Sequence, residues 1–470
     1  MITRNRIGLP EKQVVPIWQQ VTGKVLTAAE GERIRVIYPG RTNGDSGPDF
    51  RDAVIVNESH LIQGDVEVHA RSGDWYRHGH HRDAEYNSII LHVVMWHDCH
   101  STTLLQSGKP VPLLCLAQAL RHQAYLLPYR LPCFQILDRM DGQTLAGLLN
   151  AAGEERFKQK ALHFQTGIVR PDGIGTKKKA AGQVLFQAMM RALGYAKNTK
   201  PFEELADRVS LNSIQSREGL MEKQALLLGT AGLLPSQRWQ ENFAAEPEVR
   251  ELEQIWRSEG KKIKPMREHN WTLSHIYPNN SPVRRIVAQS YILERYCTGK
   301  LLAGISQLVK EAPLPGGHRV LEKGLSVAGD GYWRDHFDFD VRSRTKISAL
   351  LGSSKAGEIV VNVILPFAFA RGEQANGPEL MNKAMELYRS YPKLAENAIT
   401  RHMTNQLCLG DISDFTACHQ QGLIHIFRNY CREGRCSDCP LSQGQGWALH
   451  PSRNRLPGRP GTDNSHKQPP

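Results

Sequence analysis

Nowhere in the chain do the ~20 uninterrupted apolar residues of a membrane-spanning helix occur. The first ten residues, Met-Ile-Thr-Arg-Asn-Arg-Ile-Gly-Leu-Pro, lack the apolar stretch of a secretory signal. No segment recurs at a fixed period, which excludes solenoids and propellers. No Lys/Arg run exceeds Lys177-Lys178-Lys179, and aromatics are sparse around it, so a base-stacking platform is not expected there. These absences predict a soluble, cytoplasmic protein with no membrane partner. What is present is ordinary for a folded chain: 40% apolar residues and 40 glycines. At 470 residues the chain is too long for one compact core, and two or three domains are expected.

Charge is unevenly spread. Residues 1–100 hold 11 basic and 13 acidic side chains and 8 of the 19 histidines, whereas residues 101–200 hold 14 basic and 5 acidic ones. A basic body beside an acidic, histidine-bearing segment suits a polyanion acted on at a metal-assisted site. Nine cysteines in a cytosolic chain point to reduced or metal-bound thiols rather than disulfides. Cys99, Cys115, Cys133, Cys297 and Cys408 are scattered and read as inert thiols; the remaining four are clustered near the end.

Along the first hundred residues, Glu11 to Thr27 has helical spacing, and Arg33–Tyr38, Phe50–Val56, Leu61–Ala70 and Ile89–Trp96 read as strands. Trp75 to Asn87 reads as a helix, and Thr103–Leu116 as a hairpin around Ser107-Gly108-Lys109-Pro110. From about residue 119 helical periodicity takes over, as in Gln183–Leu193, Glu218–Leu234, Pro282–Tyr296 and Glu379–His402. The expected organisation is an α/β domain over 1–118, a mainly α-helical domain over 119–441, and a disordered basic tail over 442–470.

The segment that carries chemistry is Gly47-Pro48-Asp49-Phe50, followed after 17 residues by Glu67-Val68-His69. Carboxylates at the head of one strand and on its neighbour can converge on Mg²⁺ or Mn²⁺. Glu67 and His69, two apart on a strand, share a face, so a proton-handling group stands beside the ion. Asp65 shares that face and reads as solvated. On a helix, His80 and Asp83 would lie on one face and supply a general acid or a phosphate contact. An alternative is a Zn²⁺ or Mn²⁺ site built from His69, His78 and His80.

The order helix–strand–strand–strand–helix–strand, with Pro-Asp before the second strand and Glu-x-basic on the third, resembles the PD-(D/E)XK nucleases. That resemblance implies a restriction-endonuclease-like α-β-β-β-α-β core, with Asp49 and Glu67 as acidic metal ligands and His69 where lysine usually sits. Residues 38–94 also resemble an uncharacterised bacterial family. The matching residues are Pro39, Gly40, Asn43, Gly47, Pro48, Asp49, Phe50, Glu67, His69, Asp74, Trp75, His78, His80, Asp83, Tyr86 and Leu91–Val94. Looser likeness extends through the rest of the chain.

Near the end stands Cys418-x₁₂-Cys431-x₄-Cys436-x₂-Cys439-Pro440. Thiolates at this spacing can turn onto one ion, either Zn²⁺ or a [4Fe–4S] cluster. Cys418 is the exchangeable member, with Cys408, His419 or His425 as substitutes. Lys177–Lys179 and the tail arginines Arg453, Arg455 and Arg459 can track phosphates. The expected function is metal-dependent phosphodiester hydrolysis on nucleic acid. Two alternatives stand beside it: a non-catalytic nucleic-acid-binding or assembly protein on a degenerate nuclease fold, and a hydrolase of small phosphoesters.

Overall fold

The computed structural model describes residues 11–443 apart from 58–59, 100, 122–132, 134–139, 169–180, 196, 240–245, 260–262, 275, 277, 298–299, 340, 376, 408 and 410–414. Lys177–Lys179, Cys408 and the basic tail beyond Gln443 therefore lie outside the described residues.

The N-terminal region is a mixed sheet preceded by helix α1 (Glu11–Gln19). Its strands are β1 (Val25–Thr27), β2 (Arg33–Tyr38), β3 (Arg41–Thr42), β4 (Phe50–Asn57), β5 (His60–Arg71), β6 (Ile89–Trp96) and β7 (Leu113–Cys115). They lie in the order β1-β2-β4-β5-β6-β7, with β3 on β4. The β1-β2-β4-β5 pairs are antiparallel, whereas β6 runs parallel to β5 and β7 parallel to β6. Alternation along β5 sends Val66 and Val68 to one face, where they join Val14 and Trp18 of α1, Val36, Phe50, Leu91 and Val93 in a buried core. Asp65, Glu67 and His69 consequently occupy the other face.

Three local expectations change. The helix expected over Glu11–Thr27 stops at Gln19: Gly23 turns the chain at φ +75°, and Val25–Thr27 pairs with β2 instead. The helix expected over Trp75–Asn87 is a single turn, α2 (Asp74–Arg77), followed by 3₁₀ turns at His80–Arg82 and Ala84–Tyr86. Gly79 at φ +80° and an extended Asp83 break the α-helical path. The hairpin near Ser107–Pro110 reduces to one bridge, Leu104 to Pro110, after which β7 joins the sheet beside β6.

Beyond β7 the described residues are mainly helical, with one two-stranded sheet that pairs Val327–Ala328 with Ala349–Leu351. Helix α3 (Leu116–Arg121) closes the sheet core, and α4 (Gly142–Ile168) packs along the helix Ala417–Ile426. Small residues allow that approach: a Cβ at Gly153 would stand 2.2 Å from the Cys418 carbonyl oxygen, and one at Gly422 2.1 Å from that of Leu149. The long helix expected over Glu379–His402 is two, Pro378–Arg389 and Ala398–Gln406, interrupted around Pro392. A bulge between Val36 and Tyr38 turns Ile37 and Tyr38 toward the helices. There they form a second core with Val54, Leu149, Met403, Leu423 and Phe427, which ties the sheet to the helical region. Among the described residues one continuous helical stretch, Ser353–Gln374, is long and apolar enough to cross a membrane, but 67% of its apolar window is buried within the protein. Burial by neighbouring helices accounts for that composition.

Candidate functional site

The loop that carries Asp49 is built by its own residues. Asn43 donates its side-chain amide to the carbonyls of Ser46 (3.0 Å) and Pro48 (2.9 Å), and its Oδ1 accepts from the Asp45 amide. Gly47, at φ +86°, makes the turn; a Cβ there would lie 2.6 Å from Arg51 Nη2. The loop delivers Asp49 opposite Glu67, and the two acids are knitted together. The Asp49 backbone amide donates to Glu67 Oε2 at 2.9 Å, and the Val68 amide donates to Asp49 Oδ2 at 3.1 Å.

Asp65 does not join them. It is 6% exposed and binds Arg51 Nη1 (2.7 Å), Ser88 Oγ (2.6 Å) and the Asp52 amide (3.0 Å). These contacts secure a β-bulge in which Asp52 adopts φ +59°. The expectation of a solvated Asp65 is thus replaced by a structural one.

Around Glu67 stand three histidines. His69 Nε2 lies 3.2 Å from both His78 Nδ1 and His80 Nε2. Glu67 Oε1 lies 3.6 Å from His69 Nε2 and 3.4 Å from His80 Nε2. The three imidazole atoms all fall within 4.8 Å of one another. Donors ~2.1 Å from a tetrahedral ion stand ~3.4 Å apart, so this constellation fits a cation. His69 Nε2 has one site to offer and cannot accept a hydrogen bond from both neighbours, whereas a shared ion would satisfy all three rings.

The broken helix makes this possible. The turn at Gly79 lets His78 and His80 both face His69, while Asp83, expected beside His80, is exposed and caps the next turn through Glu85 N. Trp75, fully buried and bonded to the Leu104 carbonyl, and Tyr86, whose ring lies 4.0 Å from that of His80, form the scaffold.

Behind the cluster is a residue that the sequence reading passed over. His92 on β6 is fully buried; its Nε2 meets His69 Nδ1 and its Nδ1 meets Thr103 Oγ1, both at 2.9 Å. A cation at His69 Nε2 would select the tautomer in which His69 donates to His92 and His92 to Thr103. A lone histidine in the apolar run Leu91-His92-Val93-Val94 was the available signal.

Burial dominates the electrostatics of this group. Burial, then the Asp49 charge, pushes Glu67 up to about 9, and Asp49 is raised chiefly by burial. Glu11, at the start of α1, is raised by burial and then by Asp49, which makes it a third acid of the group. Sequence reading placed Glu11 in a helix and gave it no role. Burial, then neighbouring histidines, lowers His69 to about 2 and His80 to about 4; burial, then His80, lowers His92 to about 3. These rings are neutral near pH 7, the form that ligates metal.

Of the four expected cysteines, Cys418 packs in a different core from Cys431 and Cys439. Cys431 ends a π-turn, Cys436 opens a 3₁₀ turn, and the Cys439 amide donates to the Cys436 carbonyl at 3.2 Å. A further thiol stands near them, that of Cys133. Gln406 Nε2 is 4.0 Å from its Sγ, it shares a core with Cys431 and Cys439, and Cys431 is raised by burial and then by Cys439, Cys133 and Cys436. Cys418 instead points its Sγ at the Asn150 carbonyl (3.6 Å) between two packed helices. His419 bonds within its own helix cap at Thr416, and His425 interacts with Asn429. A thiol some 300 positions upstream could not be found from local spacing.

No curated protein and no solved structure matches the chain. The model of one family, described as "Protein of unknown function (DUF2851)", matches residues 11–397, and the chain belongs to that family.

Proposed function

We propose that the protein hydrolyses phosphodiester bonds in nucleic acid, using a divalent ion held by Glu67, His69, His78 and His80 with Asp49 alongside. The observation that carries this reading is the pair of 3.2 Å separations from His69 Nε2 to His78 Nδ1 and His80 Nε2, with Glu67 Oε1 3.4 Å from His80 Nε2 and 3.6 Å from His69 Nε2, next to a second carboxylate. Reading the sheet as a PD-(D/E)XK core rests on antiparallel β4–β5 followed by parallel β6, with Asp49 facing Glu67 across β4–β5.

Imidazole ligands favour Mn²⁺ or Zn²⁺ over Mg²⁺, which prefers an all-oxygen shell. When bound, the ion supplies Lewis acidity toward a phosphoryl oxygen and lowers the pKa of attacking water. The chain's own residues do the rest. Glu67 and the three histidines fix the position of the charge, and His92 holds the His69 ring and its tautomer. Asp49 and Glu11, both above the usual carboxylate range, are the groups available to accept a proton. His69 is thereby a ligand, rather than the neutral replacement for a catalytic lysine. Cys133, Cys431, Cys436 and Cys439 would form a separate structural centre for Zn²⁺ or an iron–sulfur cluster.

The test is cleavage of labelled single- and double-stranded DNA and RNA in Mn²⁺ by wild type, Asp49→Asn and Glu67→Gln. Cleavage by wild type alone supports the reading. Equal activity in all three removes it. Nucleic-acid binding without cleavage, surviving loss of both carboxylates, would favour the non-catalytic binder.

A further inference from the structure

Away from the histidine cluster, the helical region holds an open cavity of about 1160 Å³ whose lining includes Arg156, Lys160 and Arg428. Arg156 and Lys160 stand four apart on α4 and so point the same way. Their convergence is explicit: Arg156 Nε and Lys160 Nζ both donate to Gln421 Oε1, each at 2.8 Å. Lys160 Nζ donates further to Asn362 Oδ1 at 2.6 Å. Arg428 approaches from the segment that follows the helix Ala417–Ile426, close enough to act on both charges.

Two basic side chains on one amide oxygen, with a third beside them, form an unfavourable grouping: burial, then the Arg156 and Arg428 charges, lowers Lys160 well below its ordinary value. Like charges four apart already destabilise a helix, and neutral amides do not cancel them. The carboxylates lining the same cavity are engaged elsewhere: Glu203 with Arg191, Glu358 with Lys355, and Asp207 with Gln187. A dianion would offset the repulsion, and a phosphate group can accept charge-assisted hydrogen bonds from guanidinium and ammonium donors together. The cavity is too large for phosphate alone, and Phe164, Val184 and Tyr195 supply apolar wall for an organic moiety.

We infer that this cavity binds a phosphate monoester of nucleotide size, its phosphate held by Arg156, Lys160 and Arg428. The inference goes beyond the hydrolase reading and does not depend on it, because it uses none of the same residues. The phosphate could belong to a free small molecule or to a nucleic-acid end, and the chemistry of capture is shared.

The full chain is titrated calorimetrically with 5′-AMP, inorganic phosphate and adenosine. AMP and phosphate should bind, and adenosine should not. Arg156→Gln and Arg428→Gln should each weaken AMP binding roughly tenfold or more, the scale of a lost charge-assisted hydrogen bond. Arg156→Lys should retain most of the binding. Far-UV dichroism establishes that each variant is folded, and Arg156→Gln should melt no lower than wild type, because it relieves repulsion. A 5′-phosphorylated oligonucleotide that displaces AMP, when its dephosphorylated form does not, assigns the site to nucleic-acid ends; failure of both assigns it to a small ester. Absence of AMP and phosphate binding to wild type, equal binding of adenosine, or unchanged affinity in the Arg156→Gln/Arg428→Gln double variant overturns the inference.

Discussion

Replacing Glu67 with glutamine should stabilise the metal-free protein while weakening its response to metal. Glu67 is 4% exposed and faces Asp49, and its carboxyl is held well above the reference value of 4.5. At about pH 7 the folded chain must therefore keep a proton that the unfolded chain has released. At ~1.36 kcal/mol per unit, that retention costs about 3 kcal/mol. Glutamine is neutral at every pH and keeps an acceptor for the Asp49 amide, so the cost disappears.

The sign follows from proton counts. Between the reference value and about 9 the folded state binds more protons, so wild-type stability falls as pH rises through that window. The variant should lack this slope. In urea, with chelator present, the midpoint should rise by roughly 1–2 M at about pH 7, for a slope of ~2 kcal/mol/M. Adding Mn²⁺ at a hundredfold excess over its dissociation constant should stabilise wild type by ~2.7 kcal/mol and the variant by much less. A variant less stable than wild type without metal would show that Glu67 carries no such cost, and one that gains equally from Mn²⁺ would show that Glu67 does not hold the ion.

Three further outcomes are expected. Gly153→Ala should lower stability by about 3 kcal/mol in chemical denaturation, because its Cβ would meet the Cys418 carbonyl, while Gly147→Ala, with nothing within 4 Å, should be neutral or stabilising. His402, packed between Tyr38 and Phe427, is lowered by burial to about 4 from 6.5. The unfolded chain takes up that proton first, so stability should fall by up to about 3 kcal/mol as pH drops from about 6.5 to about 4, and His402→Gln should flatten that loss in pH-dependent melts. Elemental analysis of anaerobically purified protein should show Zn or Fe lost in Cys133→Ser and retained in Cys418→Ser; the reverse would restore Cys418 to the centre.

Much of the sheet could be read directly. Arg33–Tyr38 and Ile89–Trp96 have their expected bounds because alternation, Pro39-Gly40 and an unbroken apolar run are local signals. The pairing of Asp49 with Glu67 was legible for the same reason: one stands at a strand's head, the other on the next strand's polar face. What failed was the geometry between histidines. Trp75–Asn87 has helical composition, yet a single left-handed glycine, Gly79, redirects His78 and His80 onto His69, and no periodicity argument registers that. His92 and Cys133 were hidden in apolar surroundings, where burial looks the same whether or not the residue meets a partner. Glu11 reaches the acids only because α1 packs across the sheet, a tertiary fact.

An ion shared by imidazoles and a carboxylate leaves a magnetic signature, read by pulsed electron paramagnetic resonance of protein carrying one equivalent of Mn²⁺, because this hard ion avoids the thiolates. Couplings to imidazole nitrogen should be present in wild type, reduced in His78→Gln, and lost together with tight binding in Glu67→Gln. A tightly bound Mn²⁺ with no nitrogen coupling, or a spectrum unchanged by either substitution, would contradict the account.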